Sequence, residues 1–239
     1  MEIKKFLIVF AAVIVFQSCG KAESYYYAQY TADDITIDGQ ADESAWQKAK
    51  WYPINQLYIG QEQADYSGRF KILWKNSVLF LFVEITDNIL TNSIADGFEN
   101  YWQGDCIEIF IDESNSKQDH YQNNNAFAYH ILHTGEVIDI DADGQGKIFP
   151  DTANFKVLKS GEKYTWEIAL TVYDNTYNPN SNLHEKSKVK LTAGKKLGFT
   201  VAYGDNDGDG RESFHGSTPN QGDSGYITSE KFATLELVK

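Results

Sequence analysis

The stretch Trp102-Gln-Gly-Asp-Cys-Ile-Glu-Ile-Phe-Ile-Asp112 holds the residues best suited to chemistry. Apolar and polar residues alternate there and β-branched residues are dense, so it reads as a strand. Successive side chains face opposite sides of a strand, which makes Ile107, Ile109 and Ile111 a core row. Cys106, Glu108, Phe110 and Asp112 take the other face, and Trp102 stands at the entrance. A carboxylate beside a large flat ring suits a sugar. The ring stacks on C–H faces while the carboxylate accepts from hydroxyls. The same pattern also fits a solvated Glu on the outer face of a sheet.

Two further stretches share one spacing, Asp139-Ile-Asp-Ala-Asp-Gly144 and Asp205-Asn-Asp-Gly-Asp-Gly210. Oxygens at alternate positions, closed by Gly, let a short loop curl around a hard cation such as calcium. Asp205, Asp207 and Asp209 form one candidate ligand set, and Asp139, Asp141 and Asp143 the other. Neither loop has the twelfth-position Glu or the flanking helices of an EF-hand. The composition also makes ordinary Asx/Gly turns, and Asp139 can simply end a strand.

Strands and turns must position these groups. Residues 35–38 read as a short strand, and 42–49 as one or two helical turns capped by Asp42, with Trp46 in the core. Residues 67–75 and 78–85 form a hairpin around Asn76-Ser77. Further strands are expected over 105–112, 126–133, 136–140, 154–158, 164–170, 197–203 and 232–238. Residues 173–192 read as an irregular insertion. Nine or ten short strands predict an all-β fold, an antiparallel, jelly-roll-like β-sandwich with one short N-terminal helix, in a single domain over 34–239.

Composition agrees. Among 239 residues, Tyr 15, Phe 14 and Trp 5 against Met 1 and Pro 4 favour strands over helical bundles. The net charge of −13 argues against a nucleic-acid partner, which needs a basic surface. It fits an exported soluble domain or one that collects divalent cations.

The N-terminus reads as an address. Lys4 and Lys5 precede an apolar run from Phe6 to Phe16, too short for a stable membrane span but suited to a signal peptide over 1–18. Ser18-Cys19 resembles a bacterial lipoprotein processing site, although Phe16 and Gln17 depart from the usual pattern. Lipid on Cys19 would anchor the chain to the outer membrane or cell surface without crossing it. The rival is plain export to the periplasm or medium. Residues 19–33, polar and Tyr-rich, read as a tether. Cys106 is then left without a partner and is expected to be buried.

With these pieces placed, the chain resembles the family 9 carbohydrate-binding modules known from the C-termini of xylanases. The matching pieces are Ile37-Asp-Gly39 with Trp46, Phe70 to Trp74 before Leu79 to Val83, Asp87, the Trp102–Asp112 run, Asn206 to Arg211, and the closing Lys231-Phe232 to Leu237. The resemblance implies a calcium-containing β-sandwich without catalytic activity. It would bind the ends of glucan- or xylan-type oligosaccharides or polysaccharides between two aromatic rings, in association with polysaccharide-degrading enzymes. On this resemblance Trp102 is one clamp ring, Glu108 the carboxylate that meets sugar hydroxyls, and Tyr226 the second ring. Asp223 stands near a ligand-contacting Asn of the family, and Tyr129 where the family has a sugar-binding Arg. Tyr offers less stacking area than Trp, and Tyr129 has no guanidinium fork. The family's Trp-Ser-Asp-Pro is altered here to His215-Gly-Ser-Thr-Pro219.

Two other functions compete. A glycoside hydrolase would pair Glu108 with Asp105, Asp112 or Asp223. A haem-binding relative of the same sandwich would draw axial ligands from His120, His130, His133, His184, His215 or Met1.

Overall fold

The computed structural model describes residues 25–92, 98–141, 143–181, 184–219 and 221–239. The signal segment, Cys19 and the first part of the expected tether lie outside the described residues. Strands β1 (Tyr25–Tyr30), β2 (Tyr52–Ile54), β3 (Gln56–Gly60), β4 (Ser67–Lys75) and β5 (Val78–Thr86) precede the loop that leads to Trp102. β6 (Cys106–Asp112), β7 (Phe127–Leu132), β8 (Val137–Ile140) and β9 (Gly146–Ile148) follow it. β10 (Ala153–Ser160), β11 (Lys163–Thr171), β12 (Lys196–Asp205), β13 (Ser213–Gly216) and β14 (Ala233–Val238) complete the order. Helix α1 (Ser44–Lys48) is short, as expected. Glu43, rather than Asp42, occupies its N-cap position and makes no side-chain cap bond.

The strands form one hydrogen-bonded path, β10-β11-β5-β4-β1-β14-β12-β6-β7-β8-β9. β2 pairs with β4, and β13 joins β12 to β3. The path is mixed because β1 runs parallel to both β14 and β4. Its remaining pairings are antiparallel. The main core fills the sandwich. Ile72, Leu79, Leu81, Val83, Trp166 and Ile168 from β4, β5 and β11 meet Ile107, Ile109, Ile111, Val201 and Leu235 from β6, β12 and β14. The isoleucine row of β6 thus faces inward as its alternation predicts.

Two expectations change. Residues 35–38 form no strand, and the chain there turns through Gly39, whose φ is +90°. Residues 25–30, expected in a tether, are the strand that seams the two layers together. Tyr26 and Ala28 are buried in the core, and Thr31 N donates to the Trp74 carbonyl at 3.1 Å. Tyr residues have high strand propensity, and alternate ones here face inward, so a polar-looking segment carries a core stripe. Ala28→Asp should therefore cost about 3 kcal/mol or more, because it buries an unpaired charge. Urea denaturation measures this, and an unchanged midpoint would return the segment to a tether.

Candidate functional site

Glu108 projects from the face of β6 opposite the isoleucines, and that face is covered rather than solvated. Every residue of β6 is buried. Glu108 sits directly across from His130 on β7 and Ala202 on β12, and Ala202 lies opposite Gly216 on β13. The small residues at 202 and 216 leave room above the sheet beside the carboxylate. Arg211 fills part of that room. Its Nη2 forms an ion pair with Glu108 Oε1, and its guanidinium lies over the Phe214 ring, 4.4 Å from the centroid. It rests on Gly204, where a Cβ would come within 3.0 Å of the guanidinium. His130 Nε2 is 3.1 Å from the same Oε1, while its Nδ1 is 2.9 Å from the Ala128 carbonyl. Burial works against a charged Glu108, but His130 and Arg211 outweigh it and hold the carboxyl down at about 2.

Over this floor opens a cavity of about 830 Å³, lined by Trp102, Glu108, His130, Arg211, Asp223 and Tyr226 among others. Trp102 and Tyr226 are 38% and 37% exposed, half-buried rings on the wall of one cavity. Each is backed by a second ring. Tyr101 meets Trp102 edge-on at 5.3 Å, and Tyr121 meets Tyr226 edge-on at 6.1 Å. Trp102 rides on a 3₁₀ turn, Phe98–Gln103, just before β6. Tyr226 is held by pairing of 119–121 with 227–228, in which His120 N donates to the Ile227 carbonyl at 2.8 Å. Gly225 allows that loop to lie on Phe110, since a Cβ there would approach the ring within 2.6 Å. Asp223 also lines the cavity. Burial raises its carboxyl, and the Glu108 charge raises it further.

Four of the sequence-derived sugar contacts, Trp102, Glu108, Asp223 and Tyr226, therefore line one cavity. Tyr129 does not. It lies in the core, 1% exposed and stacked 5.1 Å from Phe127, because odd-numbered residues of β7 face inward. The guanidinium comes instead from Arg211, in the loop that reads as a cation loop in the sequence. His130, the neighbour of Tyr129, is the β7 residue that reaches Glu108. Of the other carboxylates that could pair with Glu108, Asp112 is wrapped by Ser114, Ser116, Ser229 and the Lys117 N–H at the end of β6. Asp105 joins a different cluster. His120 Nε2 faces the Gly225 carbonyl at 2.8 Å, and His215 stacks on Tyr66 at 4.0 Å with its Nδ1 3.2 Å from Ser213 Oγ.

The acidic residues also regroup. Asp87, Asp105 and Asp205 bring buried carboxylate oxygens within 4.8 Å of one another. Burial pushes Asp105 up to about 8 and Asp205 up to about 7, and it raises Asp87 as well. Tyr203 Oη is 2.5 Å from Asp87 and 3.2 Å from Asp105, one proton for two acceptors. Among the described residues none of the three carboxylates has a cationic partner. A buried set of hard oxygens lacking a positive charge fits calcium. Asp207 and Asp209, expected as ligands, are exposed. In the other loop Asp139 accepts N–H bonds from Ala128 and Ile140, while Lys147 bridges Asp141 and Asp143 at 2.8 and 2.6 Å. That loop is closed by an ammonium group and a strand end, so Asp139 does not join Asp141 and Asp143 around one point. Sequence spacing finds Asp205 but misses Asp87 and Asp105, which join it only through the fold.

This cluster is stitched to the cavity. Asp105 Oδ1 accepts from Asn206 N at 3.0 Å, Asn206 Nδ2 donates to the Gln103 carbonyl, and Arg211 N donates to Gln103 Oε1 at 3.0 Å. The turn bearing Trp102 and the loop bearing Arg211 are thus fixed to each other across the acidic group.

Residues 37–239 match the family model described as carbohydrate family 9 binding domain-like. The chain is 22% identical over 203 residues to endo-1,4-beta-xylanase A of Thermotoga maritima, a match covering 85% of this chain and 17% of the xylanase. It therefore spans only a small part of that relative's length. A family 9 carbohydrate-binding module from Caldicellulosiruptor kristjanssonii, solved with cellotriose, superposes with a TM-score of 0.69 at 18% identity, covering 90% of this chain and 94% of that one. The same organism's module solved with glucose gives a TM-score of 0.66 at 17% identity, covering 90% and 95%. These likenesses carry the fold, and the family match extends over nearly all of the described residues. The chain belongs to the carbohydrate family 9 binding domain-like family.

Proposed function

We propose that the protein is a non-catalytic carbohydrate-binding domain that grips a sugar between Trp102 and Tyr226. The observation that carries this reading is one cavity with two half-exposed aromatic rings in its wall and a charge-paired carboxylate at its floor. The rings would stack on the apolar faces of a pyranose. Glu108, held ionised, would accept from its hydroxyls, with Arg211 as a donor and Asp223 as a further polar contact. The ligand class is the end of a glucan- or xylan-type oligosaccharide or polysaccharide. That assignment draws support from the solved relatives, which hold cellotriose and glucose. We further propose that the chain works as an exported lipoprotein anchored through Cys19 at the bacterial cell surface, beside polysaccharide-degrading enzymes. A structural calcium ion at Asp87, Asp105 and Asp205 completes the proposal, supplying positive charge to three buried carboxylates and stabilising the fold by linkage.

Trp102→Ala should weaken cellotriose binding at least about tenfold by isothermal calorimetry, the loss of roughly 1.4 kcal/mol of stacking. Its melting curve should hardly move, because the ring is half-exposed. Undiminished binding would remove the clamp. Glu108 supplies a pH signature. Its carboxyl titrates lower in the folded chain than the ordinary 4.5. The charged form therefore stabilises the fold above that range, and the contribution is lost as pH falls from 4.5 towards 2. Glu108→Gln should be less stable than wild type at neutral pH, with the gap closing over that window in urea titrations. For the cation, adding EDTA should lower the melting temperature of the wild type by more than it lowers that of Asp105→Asn. A wild type indifferent to both EDTA and calcium would dispose of it.

A further inference from the structure

The charges around the cavity do not balance. Among the described residues its wall carries the acids Glu99, Glu108 and Asp223 against the basic groups Arg211 and His130. Both basic groups are committed to one acid. Arg211 Nη2 donates to Glu108 Oε1, and His130 Nε2 lies 3.1 Å from the same oxygen. Neither takes up Oε2, although Glu108 is only 3% exposed. Asp223 rides on the 3₁₀ turn Gly222–Ser224, shortly before Tyr226, and stands exposed on the cavity wall. Glu99 is exposed on the turn that carries Trp102. The ion pairs of the cavity both end on Glu108, so among the described residues Asp223 and Glu99 have no salt bridge. Burial raises the Asp223 carboxyl and the Glu108 charge raises it further, with Arg211 and His130 acting against them.

The cavity is therefore negative even when His130 carries a proton, and the chain's net charge of −13 adds a field of the same sign. A neutral sugar hydroxyl offers such a wall one donor. An ammonium group offers three donors and a full charge. Hydrogen bonds between ionised partners are roughly twice as strong as neutral ones. Aromatic faces such as Trp102 and Tyr226 also attract a cation, whereas they gain nothing from an anion. An acidic sugar would meet like charge. We infer that the cavity prefers an amino sugar, a pyranose with a protonated amine in place of one hydroxyl, with Asp223 as the residue that selects the amine. The inference rests on the clamp proposed above and adds the charge of the ligand to it. The rings hold the pyranose, Glu108 and Arg211 meet its hydroxyls, and Asp223 pairs with the ammonium at the rim.

Isothermal calorimetry at mildly acidic pH, where the sugar amine is protonated, tests this with cellotriose, the matching glucosamine trimer and its N-acetylated form. The wild type should bind the glucosamine trimer at least about tenfold tighter than cellotriose. The N-acetylated trimer keeps the nitrogen but not the charge, and should not share the gain. Added salt should narrow the gap, because the pair at the rim is open to screening. Asp223→Asn should bring the two affinities to within about twofold of each other. Asp223 is exposed and the change keeps its shape, so the variant is expected to fold. Cellotriose bound as tightly as the glucosamine trimer would overturn the inference and leave the clamp standing. So would a gain shared by the N-acetylated trimer, or a preference that survives in Asp223→Asn. A wild type that binds none of the three would remove the clamp as well.

Discussion

The structure of the cavity depends on compensating one buried charge. Taking a carboxylate out of water costs several kcal/mol even after relaxation, unless its partners are close and well oriented. Glu108 is fixed at mid-strand by a register that cannot slip, because one step would send Ile107, Ile109 and Ile111 outward. The protein must therefore bring the partners to the carboxylate. His130 arrives by register alone, from the next strand. Arg211 arrives from a loop, so the conformation of residues 206–211 follows from the charge at 108. That loop in turn fixes Gln103 and the turn that carries Trp102. One aromatic ring of the cavity is thus set, through three steps, by the charge at its floor.

The Asp87, Asp105 and Asp205 group acts at the other end of the same chain of contacts. Asp105 lies just before β6, two residues after Gln103, and Asp205 ends β12, just before the Arg211 loop. Three carboxylates within 4.8 Å repel one another while ionised. Whatever neutralises them therefore decides how tightly the ends of β6 and β12 are held. Those ends bear Trp102 and Arg211. A group that contributes nothing directly to the cavity can still control its shape, through backbone bonds such as Asn206 N to Asp105.

The fold was largely legible in the sequence because burial on one face writes a period of two. β4, β5, β6, β11 and β12 follow their alternation closely. β1 was not legible. Tyr25, Tyr26, Tyr27 and Tyr30 read as polar and tether-like, although a Tyr ring buries as much surface as other aromatics. β2, β3, β9 and β13 escaped because three to five residues carry too little periodicity. In the site, residues on one strand were legible and residues joined by topology were not. Trp102 and Glu108 share one stretch. Asp87 and Asp105 meet Asp205 only when β5, β6 and β12 are brought together by the fold. Arg211 was hidden for another reason: its loop carried a stronger, competing pattern of alternating acids.

Tyr129 shows what a one-residue difference means on a strand. Alternation sends 129 into the core, against Phe127 and Phe149, and 130 towards Glu108. A guanidinium required beside the carboxylate cannot come from 129 in this register, however the sequences are aligned. At 130 the chain carries an imidazole, which is shorter and reaches only the nearer carboxylate oxygen. The planar cation is supplied instead by a loop residue lying over Phe214 and resting on Gly204. A side chain held by a loop can withdraw or turn more easily than one held by a strand. The floor of this cavity therefore has an anion held by a strand and a cation held by a loop. The shape of that floor then depends on the loop 206–211 and on the two stitches from Gln103 that hold it down.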